Sequence, residues 1–143
     1  MEIPKPQIGD ATNNFCFACS QDNPIGLKLK FAEDGGIIKG EFTPGKFHQG
    51  WQGITHGGII YTLLDEAAGY AIIHAGLNCI TAKSEVRFAN LALVDEPIQI
   101  SAQITKKTSR LVETEATLSL KDGKTIARSL SLWYVVRESK ATD

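Results

Sequence analysis

Between Phe47 and Ala82 the only formal charges are two adjacent carboxylates, Asp65 and Glu66. They lie inside an apolar run that opens with His56-Gly57-Gly58 and continues through Ile59, Ile60, Leu63, Leu64, Ala67, Ala68, Ala71 and Ile72, the spacing of a helix from about Gly57 to Ala75. Taking a carboxylate out of water is costly unless a partner or a chemical task retains it. The segment holds no Lys or Arg, only His48, His56 and His74, so a chemical task fits better than a buried ion pair. Asp65 could act as a base or as a nucleophile. Gly57, at the helix start, would offer an unpaired backbone N–H and the positive end of the helix dipole to a developing oxyanion. Eight residues of helix separate the two by roughly 12 Å, too far to serve one reacting carbonyl within one chain. Two helices packed antiparallel about a two-fold axis would bring Gly57 of one subunit to Asp65 of the other, twice.

The rest of the chain must position that helix. A length of 143 residues with 43% hydrophobic content is enough for one domain with a core, and too little for two. A helix apolar on most of its faces needs a wrapper broader than one neighbouring helix. Leu27, Leu29 and Phe31 alternate with Lys28 and Lys30 before a turn at Glu33-Asp34-Gly35-Gly36 and a second strand from Ile38 to Thr43. After the helix, Ile80, Ala82, Ser84, Val86 and Phe88 alternate with Thr81, Lys83, Glu85 and Arg87, and Ile98, Ile100, Ala102 and Ile104 with polar neighbours. Val112 to Leu120 forms another strand. Asp122-Gly123 gives a type I′ hairpin signal into a last strand from Ile126 to Val136. The order is ββαββββ, an α+β layout with one long helix on the concave face of a six-stranded antiparallel sheet. Residues 1–24 read as an irregular N-terminal extension that covers part of the domain, 25–137 as the domain, and 138–143 as a tail.

Net charge is −1 with acids and bases interspersed, which offers nucleic acid no basic stripe. No run is long and apolar enough for a membrane helix, and the three cysteines cannot pair completely. With no signal-peptide pattern at the start, the expectation is a soluble, cytoplasmic protein that touches neither nucleic acid nor membrane.

The stretch Gly53-Ile54-Thr55-His56-Gly57-Gly58, followed six residues later by Asp65-Glu66, resembles the hotdog-fold acyl-CoA thioesterases, most closely the branch with the phenylacetate-pathway and 4-hydroxybenzoyl-CoA thioesterases. The similarity runs from Phe15 to Val136, and Cys16-Phe17-Ala18-Cys19 with Asn23-Pro24-Ile25-Gly26-Leu27 resembles an N-terminal extension seen in that family. The resemblance implies a hotdog fold, a homodimer or dimer of dimers, and hydrolysis of a small or medium acyl-CoA, with coenzyme A present only as part of the substrate and no other cofactor. It implies catalytic positions at Asp65 and Gly57, a supporting one at His56, and a hydroxyl at Thr81 that assists the carboxylate. Glu66 is a weaker alternative to Asp65. His56 could equally shape the turn, and Thr81 could be a plain strand residue.

One departure stands out. Some family members carry an Asn six residues before the motif His, holding the attacking water, whereas this chain has Gly50, leaving Gln49 or Gln52 to substitute. Contacts to substrate are expected from Gln49, Gln52, Gly58, Tyr61, Arg87, Asn90 and Arg110, with Lys106 and Lys107 as further phosphate candidates and Phe47 and Trp51 as pocket walls beside Tyr61. Cys16-x-x-Cys19 is half a zinc site with no second Cys/His pair close by, so no metal is expected and the lead-in should simply pack on the domain. The competing function is a non-catalytic acyl-CoA binder on the same fold.

Overall fold

The computed structural model describes residues 15–136. Most of the expected extension and all of the tail at 138–143 lie outside the described residues. Within them the order is β1 (Phe31–Asp34), β2 (Ile37–Phe42), a single 3₁₀ turn (Lys46–His48), α1 (Gly57–His74), β3 (Cys79–Phe88), β4 (Ile98–Lys107), β5 (Leu111–Leu120) and β6 (Thr125–Val135). The six strands form one antiparallel sheet in the order β1-β2-β4-β5-β6-β3. This is the expected ββαββββ hotdog layout.

Helix α1 lies across the middle of the sheet, chiefly on β4 and β5. Its fully buried residues Ile60, Leu63, Leu64, Ala67, Ala68, Ala71 and Ile72 recur at three- and four-residue spacing and face the sheet. Ile98, Ile100, Ala102, Val112, Ala116, Leu118, Ile126, Ala127 and Trp133 meet that stripe from the sheet and close the core. Tyr61, Asp65, Glu66, Gly69 and Tyr70, spread over the rest of the helix surface, are half-buried. The helix is therefore fully buried along its sheet-facing stripe and half-buried elsewhere, where the N-terminal segment and Phe31 cover part of it.

Three local readings are corrected. The first strand begins at Phe31, not Leu27. Leu27 and Leu29 are buried, but their N–H groups bond to the carbonyls of Phe17 and Ala18, and Lys28 between them takes a left-handed φ of 55°. Their alternation records packing against the N-terminal segment, not pairing in the sheet. Asp34 pairs directly with Ile37 around Gly35-Gly36, whose φ values of 60° and 86° are those of a tight two-residue hairpin, so Glu33 and Asp34 belong to the strand. At Asp122-Gly123 only Gly123 has a positive φ, 92°, and its N–H donates to the Leu120 carbonyl. That is a type I turn followed by a left-handed glycine, with a bulge between Leu118 and Ser119, in place of the expected type I′ turn.

Candidate active site

His56 ends an extended stretch and caps α1. Its backbone is non-helical (φ −59°, ψ 136°), and its Nδ1 accepts the Gly58 N–H at 2.8 Å. The ring therefore does the work usually given to a capping Ser or Asp, satisfying one of the orphan donors of the first turn. Gly58 leaves room for it, since a Cβ there would lie 3.0 Å from that same Nδ1 and press on the capping ring. Ile59 and Ile60 both donate to the His56 carbonyl. Among the described residues no acceptor meets the N–H of Gly57, which remains directed out of the helix end with the macrodipole behind it.

The loop that delivers His56 is rigidly made. His48 Nδ1 accepts from the Gly45 N–H, and the His56 N–H donates to the His48 carbonyl. Gln49 accepts from the Gly53 N–H and donates to the Lys46 carbonyl, so both ends of its amide hold the loop together. Gly50 packs against His56, where a Cβ would lie 3.4 Å from the His56 Cα and Cδ2. Of the two glutamines offered for the missing Asn, Gln52 is exposed and has no recorded side-chain bond among the described residues.

Asp65 sits two turns further along α1, half-buried. The Thr81 hydroxyl donates to its Oδ1 at 3.2 Å. Burial pushes the Asp65 carboxyl above its ordinary value, and the Thr81 hydrogen bond, which favours the charged form, pulls partly the other way. Strict alternation along β3 would have put Thr81 on the outer face with Lys83, Glu85 and Arg87. A bulge at Ala82 reverses the phase: Thr81 pairs with Trp133 but Lys83 pairs with Leu132. Cys79 and Thr81 therefore share the helix-facing side with Ser84, Val86 and Phe88.

Glu66 points elsewhere. Its Oε1 lies 3.6 Å from the Cys16 sulfur, on the segment that crosses the outer side of the helix. His74 reaches Glu33 at 3.4 Å, and His48 stacks edgewise on Phe42, so neither belongs to the site.

Around the helix N-terminus, Trp51, Ile54, Gly57, Phe88 and Leu91 line a cleft of about 310 Å³, with Thr55 at its base. Thr55 is 95% buried, since only 5% of its surface is accessible, and its hydroxyl has no hydrogen-bond partner among the described residues. The sequence reading missed Thr55, Phe88 and Leu91. Only the adjacency of Thr55 to His56 could have pointed to the first. Phe47, Trp51, Phe88 and Leu91 are all more than half exposed at this end of the molecule. Asn90 lies on the cleft's rim with its amide donating to the Thr125 carbonyl at 2.7 Å. Arg87 faces the other side of the sheet, with Glu85, Arg128 and Leu130. Arg110 is exposed in the β4–β5 turn, which Thr108 caps through the Arg110 and Leu111 N–H groups. Tyr61 is half-buried on α1. The structure therefore brings together Asp65 with Thr81, and His56 with Gly57 and Gly58, as two separate half-sites.

A family model described as the thioesterase superfamily matches residues 52–127, which include both half-sites. The chain belongs to that superfamily. Zebrafish thioesterase superfamily member 2 is 25% identical, with a TM-score of 0.72 over 80% of this chain and 89% of its own. The E. coli PaaI protein from the phenylacetic acid degradation operon has the same TM-score at 18% identity, over 76% of this chain and 83% of its own. A hypothetical thioesterase from Streptococcus pneumoniae TIGR4, solved with coenzyme A, matches at 0.72 with 16% identity, over 76% and 85%. A Saccharolobus solfataricus protein provisionally named an esterase is 26% identical over 87 residues, which span 59% of this chain and 61% of that relative's length. For this member of the superfamily the hotdog architecture is thus shared over 76–80% of the chain, and no helix among the described residues is long and apolar enough to cross a membrane.

Proposed function

We propose that the protein is an acyl-CoA thioesterase acting on small or medium acyl groups, and that its active site is assembled between two subunits. The observation that carries this reading is the pair of complementary half-sites on one helix: a half-buried carboxylate oriented by Thr81, and a helix N-terminus whose Gly57 N–H has no acceptor among the described residues. The thioester carbonyl oxygen would take the Gly57 N–H of one subunit. Asp65 of the other would remove a proton from water as its oxygen adds to the carbonyl carbon, or would itself add first and be released by water. Either route ends with the C–S bond broken, the free acid formed and the proton returned to the coenzyme A sulfur.

Three further features support this reading. β3 is an edge strand beside the site, and an exposed edge is a place where a two-fold partner can continue a sheet. Phe47, Trp51, Phe88 and Leu91 form an apolar rim that dimerisation would cover and that the acyl chain could enter. Proteins of the same fold have been solved with coenzyme A and, from Streptococcus mutans UA159, with acetyl CoA. Asn90 and Arg110, both at loop positions, are the better placed of the expected contacts for the coenzyme. Three cysteines, which cannot all pair, fit a cytoplasmic location. The test is thiol release from a panel of short, long and aromatic acyl-CoA substrates by the wild type and Asp65→Asn. Turnover that collapses in the variant supports hydrolysis; binding without turnover in both identifies an acyl-CoA binder.

A further inference from the structure

The N-terminal segment brings two thiols to the one carboxylate of α1 that the proposed hydrolysis leaves idle. The ligand atoms of Cys16, Cys19 and Glu66 all lie within 4.8 Å of one another, and Cys16 Sγ is 3.6 Å from Glu66 Oε1. Zinc–sulfur and zinc–oxygen bonds of about 2.3 and 2.1 Å at a tetrahedral angle demand an S···O edge of about 3.6 Å and an S···S edge of about 3.8 Å. The Cys16–Glu66 edge has that S···O length, and the other two edges lie within 4.8 Å, close enough for small side-chain rotations to close on one ion. The Cys19 N–H donates to Cys16 Sγ at 3.4 Å, so the backbone wraps the first sulfur as a C-x-x-C metal loop does. Among the described residues no cation pairs with Glu66.

The segment is also built to hold this shape. Ser20 donates to the Cys16 carbonyl, and Leu27 and Leu29 bond to Phe17 and Ala18. Asn23 ties the turn at both ends, its Nδ2 donating to the Phe15 carbonyl and its Oδ1 accepting from the Ile25 N–H. Gly26 passes so close that a Cβ would lie 2.8 Å from the Phe17 carbonyl. Tyr70, one helical turn beyond Glu66, lies beside the Cys19 thiol and would orient that ligand from outside.

We propose that Cys16, Cys19 and Glu66 bind a single zinc ion, with water in the fourth position, and that the ion staples the N-terminal segment to the outer side of α1. The sequence suggested no metal because no second Cys/His pair lies near the first; the third ligand comes instead from a residue fifty positions away. This site is independent of the proposed hydrolysis, in which Asp65 keeps its place and the zinc takes no part.

The test uses the full chain, reduced and stripped with a chelator, then titrated with zinc against a competing chromophoric chelator and, separately, with cobalt(II). One equivalent of zinc should bind, cobalt should give thiolate-to-metal charge-transfer absorption, and zinc should raise the melting temperature. Cys16→Ser and Cys19→Ser should each weaken zinc binding by about a hundredfold or more, and Glu66→Gln by about tenfold, while Cys79→Ala, away from the cluster, binds as the wild type. Should a cysteine variant fail to fold, Glu66→Gln, which keeps the side-chain shape, carries the same comparison. The proposal is overturned if zinc does not bind, if Cys16→Ser, Cys19→Ser and Glu66→Gln all bind it as the wild type does, or if Cys16 and Cys19 remain joined as a disulfide under reductant with zinc present.

Discussion

Thr81 donates its hydroxyl hydrogen to Asp65 Oδ1 across 3.2 Å, and it reaches that carboxylate only because β3 bulges at Ala82. The bulge spends one residue of sheet pairing to turn a polar side chain from the outer face toward the helix. Bulges near reactive groups commonly re-aim a side chain in this way.

Removing the charge of Asp65 has two separable effects. Asp65→Asn should lower kcat by about 10²- to 10⁴-fold, the range for a lost general base. It should also stabilise the fold at neutral pH. The folded-state pKa is raised by burial, so the folded protein holds this proton more tightly than the unfolded chain does. Stability from this group is therefore greatest at low pH and falls as pH rises through the window above the ordinary carboxylate value. The variant's advantage in denaturant midpoint should be present at pH 7 and vanish in acid. An advantage that grew as pH fell would contradict the assigned direction.

Thr81 should tune the pH at which catalysis starts. Its hydrogen bond favours the ionised carboxylate, so Thr81→Val should move the acid limb of the kcat/KM profile upward, while Thr81→Ser restores it. A plain strand threonine would leave the limb in place whichever residue stood there.

The helix cap gives a stability prediction. His56→Ala should cost about 1 kcal/mol in chemical denaturation, in the range for loss of a capping side chain. His56→Asn, which can accept the Gly58 N–H with a shorter side chain, should recover most of it. If both variants lose equally, the ring matters for its contact with Gly50 more than for the cap.

Much of this could be read from the chain itself, and the exceptions share a physical cause. The helix was legible because its apolar period and its two isolated acids stand out against uncharged flanks, and β4 and β5 because alternation survives along most of their length; β6 was legible from the Asp122-Gly123 turn signal before it, since its inward face carries Ser129 and Ser131 while Leu130 lies outward. Thr81 was harder. Alternation placed it outward with Lys83, and only the resemblance put it beside Asp65, since a bulge leaves no mark on periodicity. Leu27 and Leu29 misled because a segment packed against a loop alternates like a strand. Gln49 could not be told from Gln52, as both amides lie in one loop and only the fold shows that Gln49 is tied to Lys46 and Gly53. The approach of Glu66 to Cys16 is a contact across fifty residues, and nothing local encodes it.

The claim on which the rest turns is that Gly57 and Asp65 act in different subunits. Gly57→Pro removes the N–H in question at the first helical position, where proline is well tolerated, and the extended backbone of His56 suits the residue before a proline. Gly57→Pro and Asp65→Asn should each be nearly inactive alone. Unfolded together in equal amounts and refolded, they should recover about a quarter of wild-type activity, because half of the dimers are mixed and each mixed dimer holds one intact site. Recovery near that level, with both parents folded and dimeric, is the predicted result; a mixture no more active than its two parents would contradict a site shared between subunits.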